Sequence, residues 1–233
     1  MTTAAGAPRR TTTIAGMHIE SLNVGRPQII IRSGRQFSSA INRRPTDKSV
    51  SMTEEGLEGD QVSDRRVHGG PDKAICVYPR EHYSEFETLL GRALEVPAFG
   101  ENLTTEGLLE SEVAIGDIFL IGDARLQVSQ PRQPCGKLAA KHDESRMVAW
   151  VNERQFCGFY FRVLRAGAIC AADTIRLESR PHPEWNIARA LRTLMEKSTP
   201  PDPLRKLHAL PELSGAWKRQ IANRLGGGDL FDD

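Results

Sequence analysis

The sequence lacks the signatures of several large classes of protein. No apolar run approaches the roughly 18 residues that a membrane-spanning helix needs, and no signal-peptide core follows the start. The phosphate-binding patterns G-x-x-x-x-G-K-[ST] and G-x-G-x-x-G are absent, as is the nucleophile motif G-x-S-x-G. These absences disfavour nucleotide enzymes and the common serine hydrolases. We expect a cytoplasmic protein with no membrane partner.

Cysteines are few, and none stands in a recognisable pair. They are Cys76, Cys135, Cys157 and Cys170, none is part of a C-x-x-C pattern, and no histidine pair has zinc-finger spacing. We therefore expect neither a structural zinc site nor disulfides. The same scarcity leaves no cysteine set for an iron–sulfur cluster. Three of the cysteines lie in or beside apolar runs and are interpreted as core thiols: Cys76, Cys157 and Cys170.

The chain also lacks an excess of charge of either sign. It has 31 Lys and Arg against 30 Asp and Glu, a net charge of +1, so no global field attracts nucleic acid. No nucleic-acid partner is expected. With 39% hydrophobic and 26% charged residues over 233 positions, the composition is typical of a globular protein that buries a sizeable core.

Short alternating or apolar runs separated by turn residues predict a mainly β fold. Strands at this spacing, with few helices between them, indicate an all-β barrel or sandwich rather than βαβ repeats. Helices are predicted over Arg80–Leu90, from Lys137 to Lys141 and around Met147–Val151. The predicted strands are Met17–Asn23, Gln28–Ile31, Ser49–Met52, Ala74–Tyr78, a short one entered at Leu103, Glu112–Ile115, Asp117–Ile121, Ala124–Ser129, Gly158–Leu164 and Asp173–Glu178.

Changes in composition divide the chain into four parts. Residues 1–16, rich in Thr and Ala, are predicted to be a disordered leader, 17–180 the β domain, 181–225 a three-helix segment and 226–233 a flexible tail. The segment Arg32 to Lys48 is interpreted either as a mobile loop at the mouth of a site or, as is commoner for cationic loops, as a simply solvated one. The three helices are predicted over Glu184–Lys197, Pro203–Leu210 and Pro211–Leu225, the last two with proline in the first turn. Trp217 and the leucines of this segment could pack on the barrel, on a second protomer or on a partner protein.

One loop carries the most suggestive chemistry. After the strand that begins at Leu126, Pro131 and Pro134 stiffen the chain around Cys135, which lies between the cations Arg132 and Lys137. Flanking positive charge favours the thiolate, which attacks electrophiles and binds soft metals. The alternative is that Cys135 is a small buried hydrophobic residue.

Four turns hold the other candidate residues: Gly56–Asp60, His68–Lys73, Gly100–Asn102 and Gln130–Lys137. Turns that follow barrel strands can converge at one mouth. Together they would offer a thiolate, a histidine, cations, an amide and backbone donors, which suits an anionic cofactor with a soft metal. Taken singly, His68 is equally explained as a structural histidine, and Asp60 as a turn former.

These motifs, in this order, resemble the MOSC domains, named for the C-terminal region of molybdenum cofactor sulfurase, and among them the YiiM-like group. The resemblance spans roughly residues 17–180, and the three C-terminal helices also look like those of YiiM-like members. The leader and the long Arg32–Lys48 segment depart from the pattern. The matching pieces are Gly56-Leu-Glu-Gly-Asp60, Val67-His-Gly-Gly-Pro-Asp-Lys-Ala74, Tyr78-Pro-Arg-Glu-His-Tyr83, Pro97-Ala-Phe-Gly-Glu-Asn-Leu103, Gly116-Asp117 and Gln130-Pro-Arg-Gln-Pro-Cys-Gly-Lys137.

The resemblance implies a MOSC-type β-barrel that binds the molybdenum cofactor, a pterin dithiolene with a phosphate. Cys135 matches the family's invariant cysteine and would be the metal ligand. Asp60 is a second catalytic candidate, for proton delivery or for binding the pterin. Five further residues are expected around the pterin and phosphate: His68, Gly69, Lys73, Asn102 and Arg132.

The function that the resemblance implies is the reduction of N-hydroxylated compounds, such as 6-hydroxylaminopurine, to amines. Because the chain has no electron carrier of its own, a separate reductase is the expected partner. Two alternatives keep the fold: a sulfur carrier with a persulfide on Cys135, and a cofactor carrier without turnover. The sequence leaves open whether the protein forms a homodimer.

Overall fold

The protein is described here from a computed structural model that covers residues 16–32, 35–63 and 69–226. Its helices are α1 (Tyr83–Leu90), α2 (Gly136–His142), α3 (Met147–Arg154), α4 (Ile187–Met195), α5 (Pro201–His208) and α6 (Gly215–Arg224), with short 3-10 turns at Pro71–Lys73 and Arg80–His82. Its strands are β1 (His18–Val24), β2 (Gln28–Arg32), β3 (Arg35–Ser39), β4 (Arg44–Pro45), β5 (Val50–Thr53), β6 (Gly56–Leu57), β7 (Ile75–Pro79), β8 (Leu103–Glu106), β9 (Ile118–Ile121), β10 (Ala124–Pro131), β11 (Phe159–Arg165), β12 (Gly167–Ile169) and β13 (Ile175–Ser179).

A single large sheet organises the molecule, with strand order β13-β9-β10-β11-β7-β8-β1-β4. The sheet curls until β1 meets the chain entering β13: the Ile19 amide donates to the Asp173 carbonyl (3.1 Å) and the Ile175 amide to the Met17 carbonyl (2.8 Å). A smaller sheet, β12-β5-β6, and the β2–β3 hairpin complete the β structure. The predicted mainly β, barrel-like fold is confirmed.

Alternation decides which side chains fill the barrel. In β10, Ala124, Leu126 and Val128 are fully buried, while the side chains between them are half-buried. This is the period-2 pattern of a strand with one face in a core. The strand ends at Pro131, as the missing N–H of proline predicts. The carboxyl end of β10 therefore has a fixed direction, and it delivers the next loop to the mouth of the barrel.

Two of the secondary-structure predictions from the sequence are wrong. Glu112–Ile115 is not a strand, because the amides of Glu112 and Val113 both donate to the Leu109 carbonyl and form a turn. The segment Arg32 to Lys48 is not simply a loop, since it contains β3 and β4. Its serines and arginines obscured a hairpin in which the register pairs Ile30 with Phe37.

The three C-terminal helices pack on the barrel, which decides among the alternatives left open by the sequence. Trp217 is fully buried and belongs to the same hydrophobic core as the barrel strands. The Ser214 amide donates to the Ser129 carbonyl of β10 (3.0 Å). The helix α6 begins at Gly215 rather than at Pro211, because the Ser214 hydroxyl caps it by accepting from the Trp217 amide (3.2 Å).

The predicted leader and tail fall, except for Gly16 and Gly226, outside the described ranges. Within those ranges, no helix has the length and apolar character required to cross a membrane.

Candidate functional site

A cavity of about 630 Å³ opens at the barrel mouth. Its walls come from the segment after β3, the β5–β6 hairpin and the loop after it, the chain before β7, the loop before β8 and the loop after β10. All four turns singled out in the sequence contribute to it. Six of the seven predicted site residues line this one cavity: Asp60, Gly69, Lys73, Asn102, Arg132 and Cys135. The seventh, His68, lies outside the described residues.

Cys135 occupies the position just before α2 and has an extended backbone (φ −124°, ψ 168°). The thiol is half-buried and lines the cavity. The Leu138 amide donates to the Cys135 carbonyl (2.9 Å), which fixes the start of the helix. An added Cβ on Gly136 would meet no atom within 4 Å, so there is free space beside this backbone. The cysteine is therefore held rigidly but remains accessible from the cavity.

Arg132 brings a buried positive charge to the same wall. Its side chain donates from Nη2 to the Phe99 carbonyl (2.6 Å), and the residue is only 8% exposed. Burial alone would lower the pKa of this guanidinium, but Cys76, Tyr160 and Glu101 raise it, and the net pKa lies above its ordinary value. Arg132 is therefore a permanent cation inside the cavity, suited to an anionic group.

Two lysines add to the positive charge of the cavity. Lys137 donates from Nζ to the Ser63 hydroxyl (3.0 Å). Lys73 lies in the 3-10 turn Pro71–Lys73, and burial lowers its pKa, with Asp72 raising it and Arg219 lowering it. Lys141, on α2, donates to the carbonyls of Ile41 and Pro97, and so ties the helix to the opposite wall.

Asp60, a catalytic candidate from the sequence, has both carboxylate oxygens engaged in hydrogen bonds within the protein. Its Oδ1 accepts from the Gly25 amide (2.9 Å) and from Arg43 Nε (2.8 Å). Its Oδ2 accepts from Arg43 Nη2 (2.7 Å) and from Asn102 Nδ2 (3.0 Å). These four hydrogen bonds, two of them from the Arg43 guanidinium, engage both carboxylate oxygens, so we interpret Asp60 as a positioning residue.

Asn102 lines the cavity, but its side chain is used inside the protein. Its Oδ1 accepts from the Cys76 amide (3.0 Å), and its Nδ2 donates to Asp60 and to the Asn23 carbonyl (3.3 Å). A side-chain amide has two N–H donors and two acceptor lone pairs, and in Asn102 only one lone pair has no partner. Asn102 therefore connects β1, β7 and the loop carrying Asp60.

The sequence reasoning missed Arg43, Cys76 and Tyr160, which all line the cavity. Tyr160 lies opposite Cys76 in the β11–β7 ladder and opposite Gln130 in the β10–β11 ladder. Cys76 was interpreted as a core thiol, and it is indeed 5% exposed, but it faces the cavity. Cys170 was also interpreted as a core thiol, but it is half-buried beside Asp173 and is not in the core. Cys157 is buried, as predicted.

Burial sets the protonation of this second thiol and of the phenol. It raises the pKa of Cys76, against the lowering effect of Arg132 and Arg43. Burial and Cys76 raise the pKa of Tyr160, and the same two arginines lower it without cancelling the rise. Tyr160 is therefore protonated at neutral pH and presents a hydroxyl donor to the cavity.

Glu101 explains why the loop before β8 keeps its shape. This fully buried carboxylate accepts from the Phe99 amide (2.9 Å), the Thr104 hydroxyl (2.8 Å) and the Tyr83 hydroxyl. The described part of the chain contains no cluster of three or more His, Cys, Asp or Glu residues that could hold a metal by themselves.

Comparison with known proteins places this architecture in a family. The profile of the MOSC domain matches residues 64–176. The chain is 41% identical over 204 residues to YflK, an uncharacterized protein of Bacillus subtilis (strain 168), covering 88% of this chain and 92% of YflK. The crystal structure of YiiM from Geobacillus stearothermophilus superposes with a TM-score of 0.78 and 35% identity, over 90% of this chain and all 100% of that chain.

A protein of Gibberella moniliformis (strain M3125 / FGSC 7600) named "Reductase" is 30% identical over 208 residues; the match covers 83% of this chain but 37% of that protein. The family model and the superposition both identify this barrel as a MOSC domain. The chain belongs to the MOSC family, in its YiiM-like group.

Proposed function

We propose that the protein is a molybdenum-cofactor enzyme that reduces N-hydroxylated compounds to amines. The observation that carries the proposal is the convergence of Cys135 and the buried cation Arg132 on one cavity of about 630 Å³. The similarity to MOSC proteins and to a protein named "Reductase" supports the same class of reaction.

The donor set fits the cofactor. A thiolate is a suitable soft ligand for molybdenum, and Cys135 is accessible from the cavity. Arg132 and Lys137 both line the cavity and would pair with the phosphate, and the cavity volume is within the range of cofactor pockets. Lys73 and the Gly69 backbone complete the candidate contacts, whereas Asp60 and Asn102 stabilise the cavity wall through their own hydrogen bonds. When bound, the cofactor would supply a two-electron store and a Lewis acid.

The reaction converts R–NH–OH, two electrons and two protons into R–NH2 and water. The chain must therefore bind the substrate beside Cys135, orient its N–O bond and provide a proton. We assign the proton donation to the Tyr160 hydroxyl, which lines the cavity and is held in its protonated form by burial. Arg132 and Arg43 lower the pKa of Tyr160, so they would offset part of the cost that burial places on the phenolate left after transfer.

Electrons must come from outside the chain. The four cysteines are far apart in the sequence. Two of them, Cys76 and Cys135, line the cavity, each from a different part of the chain. No iron–sulfur pattern or flavin fingerprint is present. We propose a separate reductase as the physiological donor.

The test uses protein purified with its cofactor, a dithionite-type reductant and 6-hydroxylaminopurine. We expect adenine as the product and no conversion by Cys135→Ala. Unchanged activity in Cys135→Ala would contradict the mechanism. A stable additional sulfur on Cys135 in protein without molybdenum would favour a sulfur carrier instead. Stoichiometric molybdenum without reduction of any N-hydroxy substrate would favour a cofactor carrier.

A further inference from the structure

The β2–β3 hairpin exposes apolar side chains that the barrel does not use. Ile29 is 65% exposed and Ile31 66%, the highest values among the large exposed hydrophobic residues of the described chain. Both lie on one face of β2, since side chains two apart point the same way. Ile30, on the opposite face, packs against the core. The hairpin is therefore anchored by its inner face and presents isoleucines on its outer face.

The hairpin leads directly into the cavity wall. After β3 ends at Ser39, the residues Ser39, Ala40 and Ile41 line the cavity, followed by Arg43. The chain entering the hairpin is joined to the same wall, because the Gly25 amide donates to Asp60. A protein docked on the outer face would lie beside the mouth of the cavity.

Positive charge is concentrated in this segment. Residues 26–48 contain five arginines and one lysine against one aspartate, whereas the whole chain has a net charge of +1. Arg26 and Arg44 are exposed, and neither makes an ion pair with a described residue. The β1–β4 ladder pairs Val24 with Arg44, which brings the two arginines to the same corner. Such a surface attracts an acidic partner.

The proposed reaction requires a partner that delivers electrons, so this inference rests on the proposed function. The relative named "Reductase" matches this chain over only 37% of its own length, so most of that protein consists of other sequence. The separate electron donor proposed above must approach the cavity mouth.

We propose that the hairpin surface, formed by Arg26, Ile29, Ile31 and Arg44, docks an acidic redox protein that carries a flavin or an iron–sulfur cluster. The isoleucines form an apolar centre, and the arginines provide steering and a charged rim. Transient electron-transfer complexes use small surfaces of this kind.

The test compares two electron sources for the same holoenzyme. The protein donor is an acidic plant-type [2Fe–2S] ferredoxin kept reduced by NADPH and ferredoxin reductase; the small donor is dithionite, which needs no docking surface. We expect Ile29→Asp with Ile31→Asp, and separately Arg26→Glu with Arg44→Glu, to lower ferredoxin-driven kcat/KM about tenfold or more. Dithionite-driven turnover is expected to stay at the wild-type rate.

Matched controls are Leu164→Asp, at an exposed hydrophobic position on β11, and Arg176→Glu, at an exposed position on β13. Both are expected to leave ferredoxin-driven turnover unchanged. Calorimetry of ferredoxin binding at low ionic strength gives a readout independent of turnover, and we expect binding to weaken with added salt and with the hairpin substitutions.

Ferredoxin-driven turnover and binding that are unaffected by the hairpin substitutions would overturn the docking proposal. So would a wild type that uses dithionite but neither binds ferredoxin nor accepts its electrons, or a hairpin that binds duplex DNA more tightly than ferredoxin. A wild-type holoenzyme with no dithionite-driven turnover would contradict the proposed function instead, and the calorimetry would still decide the docking.

Discussion

Arg43 binds both carboxylate oxygens of Asp60, through Nε at 2.8 Å and Nη2 at 2.7 Å. The two side chains are 9% and 8% exposed, so the pair is buried. Arg43 also donates from Nη1 to the Gly100 carbonyl (2.6 Å), and Asp60 accepts from the Gly25 amide. One ion pair thus connects three segments that wall the cavity. We infer that it determines the shape of the site.

Breaking this pair should destabilise the protein strongly. In Asp60→Asn the Arg43 guanidinium stays buried without a countercharge, which costs about 3–5 kcal/mol of the free energy of unfolding. Arg43→Lys should also lose stability, because an ammonium cannot make the bidentate contact. Denaturant unfolding measures both.

The control is Glu178→Gln, which removes the ion pair between Glu178 (32% exposed) and Arg125 (37% exposed). Loss of this partly exposed pair should cost about 0–1 kcal/mol. If Asp60→Asn and Glu178→Gln lower the free energy of unfolding equally, the buried pair contributes no more to stability than the partly exposed one.

Gly100 is required by the close approach of the wall after β3. Its φ is +73°, and an added Cβ would lie 2.5 Å from Ile41 Cγ1 and 2.9 Å from the Ile41 carbonyl oxygen. We expect Gly100→Ala to lower the free energy of unfolding by about 2–4 kcal/mol through backbone strain and overpacking together. Gly59→Ala is the matched control, since φ is +82° there but no atom lies within 4 Å of the added Cβ. If both variants lose the same stability, the contact with Ile41 contributes nothing.

His142 should make the protein sensitive to acid. Burial lowers its pKa to about 4, against the raising effect of the Ala98 carbonyl, and Lys141 and Arg92 lower it further. The ring is 8% exposed, donates from Nε2 to Ala98 (2.8 Å) and accepts at Nδ1 from Arg92 Nη2 (3.3 Å), which is the neutral form. Between about pH 6.5 and pH 4 this histidine therefore binds a proton in the unfolded chain but not in the folded protein.

The free energy of unfolding should therefore be fully maintained above about pH 6.5 and fall as the pH drops from there towards about 4. In His142→Gln, which can still donate to the Ala98 carbonyl, that part of the pH dependence should disappear. Denaturant unfolding at a series of pH values measures both. An NMR titration in which the ring of His142 protonates near pH 6.5 would contradict the assignment.

Tyr160 should be required for turnover and dispensable for loading of the cofactor. Removing a proton donor typically costs about 10²–10⁴-fold in rate, and for Tyr160→Phe we expect at least the lower value in dithionite-driven kcat, with molybdenum content unchanged. Full activity in Tyr160→Phe would assign the proton to another group.

The sequence predicted the position of Cys135 because the determinants are local. Alternation in β10 gives the direction of the strand, Pro131 ends it, and the residues after Cys135 form α2. The convergence of the four turns was predictable because turns that follow barrel strands can meet at one mouth. The apolar content of 181–225 likewise predicted three helices, although their ends shifted by several residues.

What the sequence could not show depends on contacts between distant segments. Arg43 is one of five arginines between residues 26 and 48, and only the β1–β4 pairing and the salt bridge distinguish it from the others. Cys76 lies in β7, where every residue is buried, so no alternation reveals which side chains face the cavity. Asp60 matched a motif, but its four donors come from Gly25, Arg43 and Asn102, which no local pattern connects.

The most direct test of the central claim, that the Cys135 thiolate binds the metal of a pterin cofactor, is the molybdenum content of the purified protein. Wild type and Cys135→Ser are produced in a host that makes the cofactor and are analysed side by side by elemental analysis. The account predicts about one molybdenum per chain in the wild type and little in the variant. A wild type without molybdenum, or equal molybdenum in the two proteins, would contradict it.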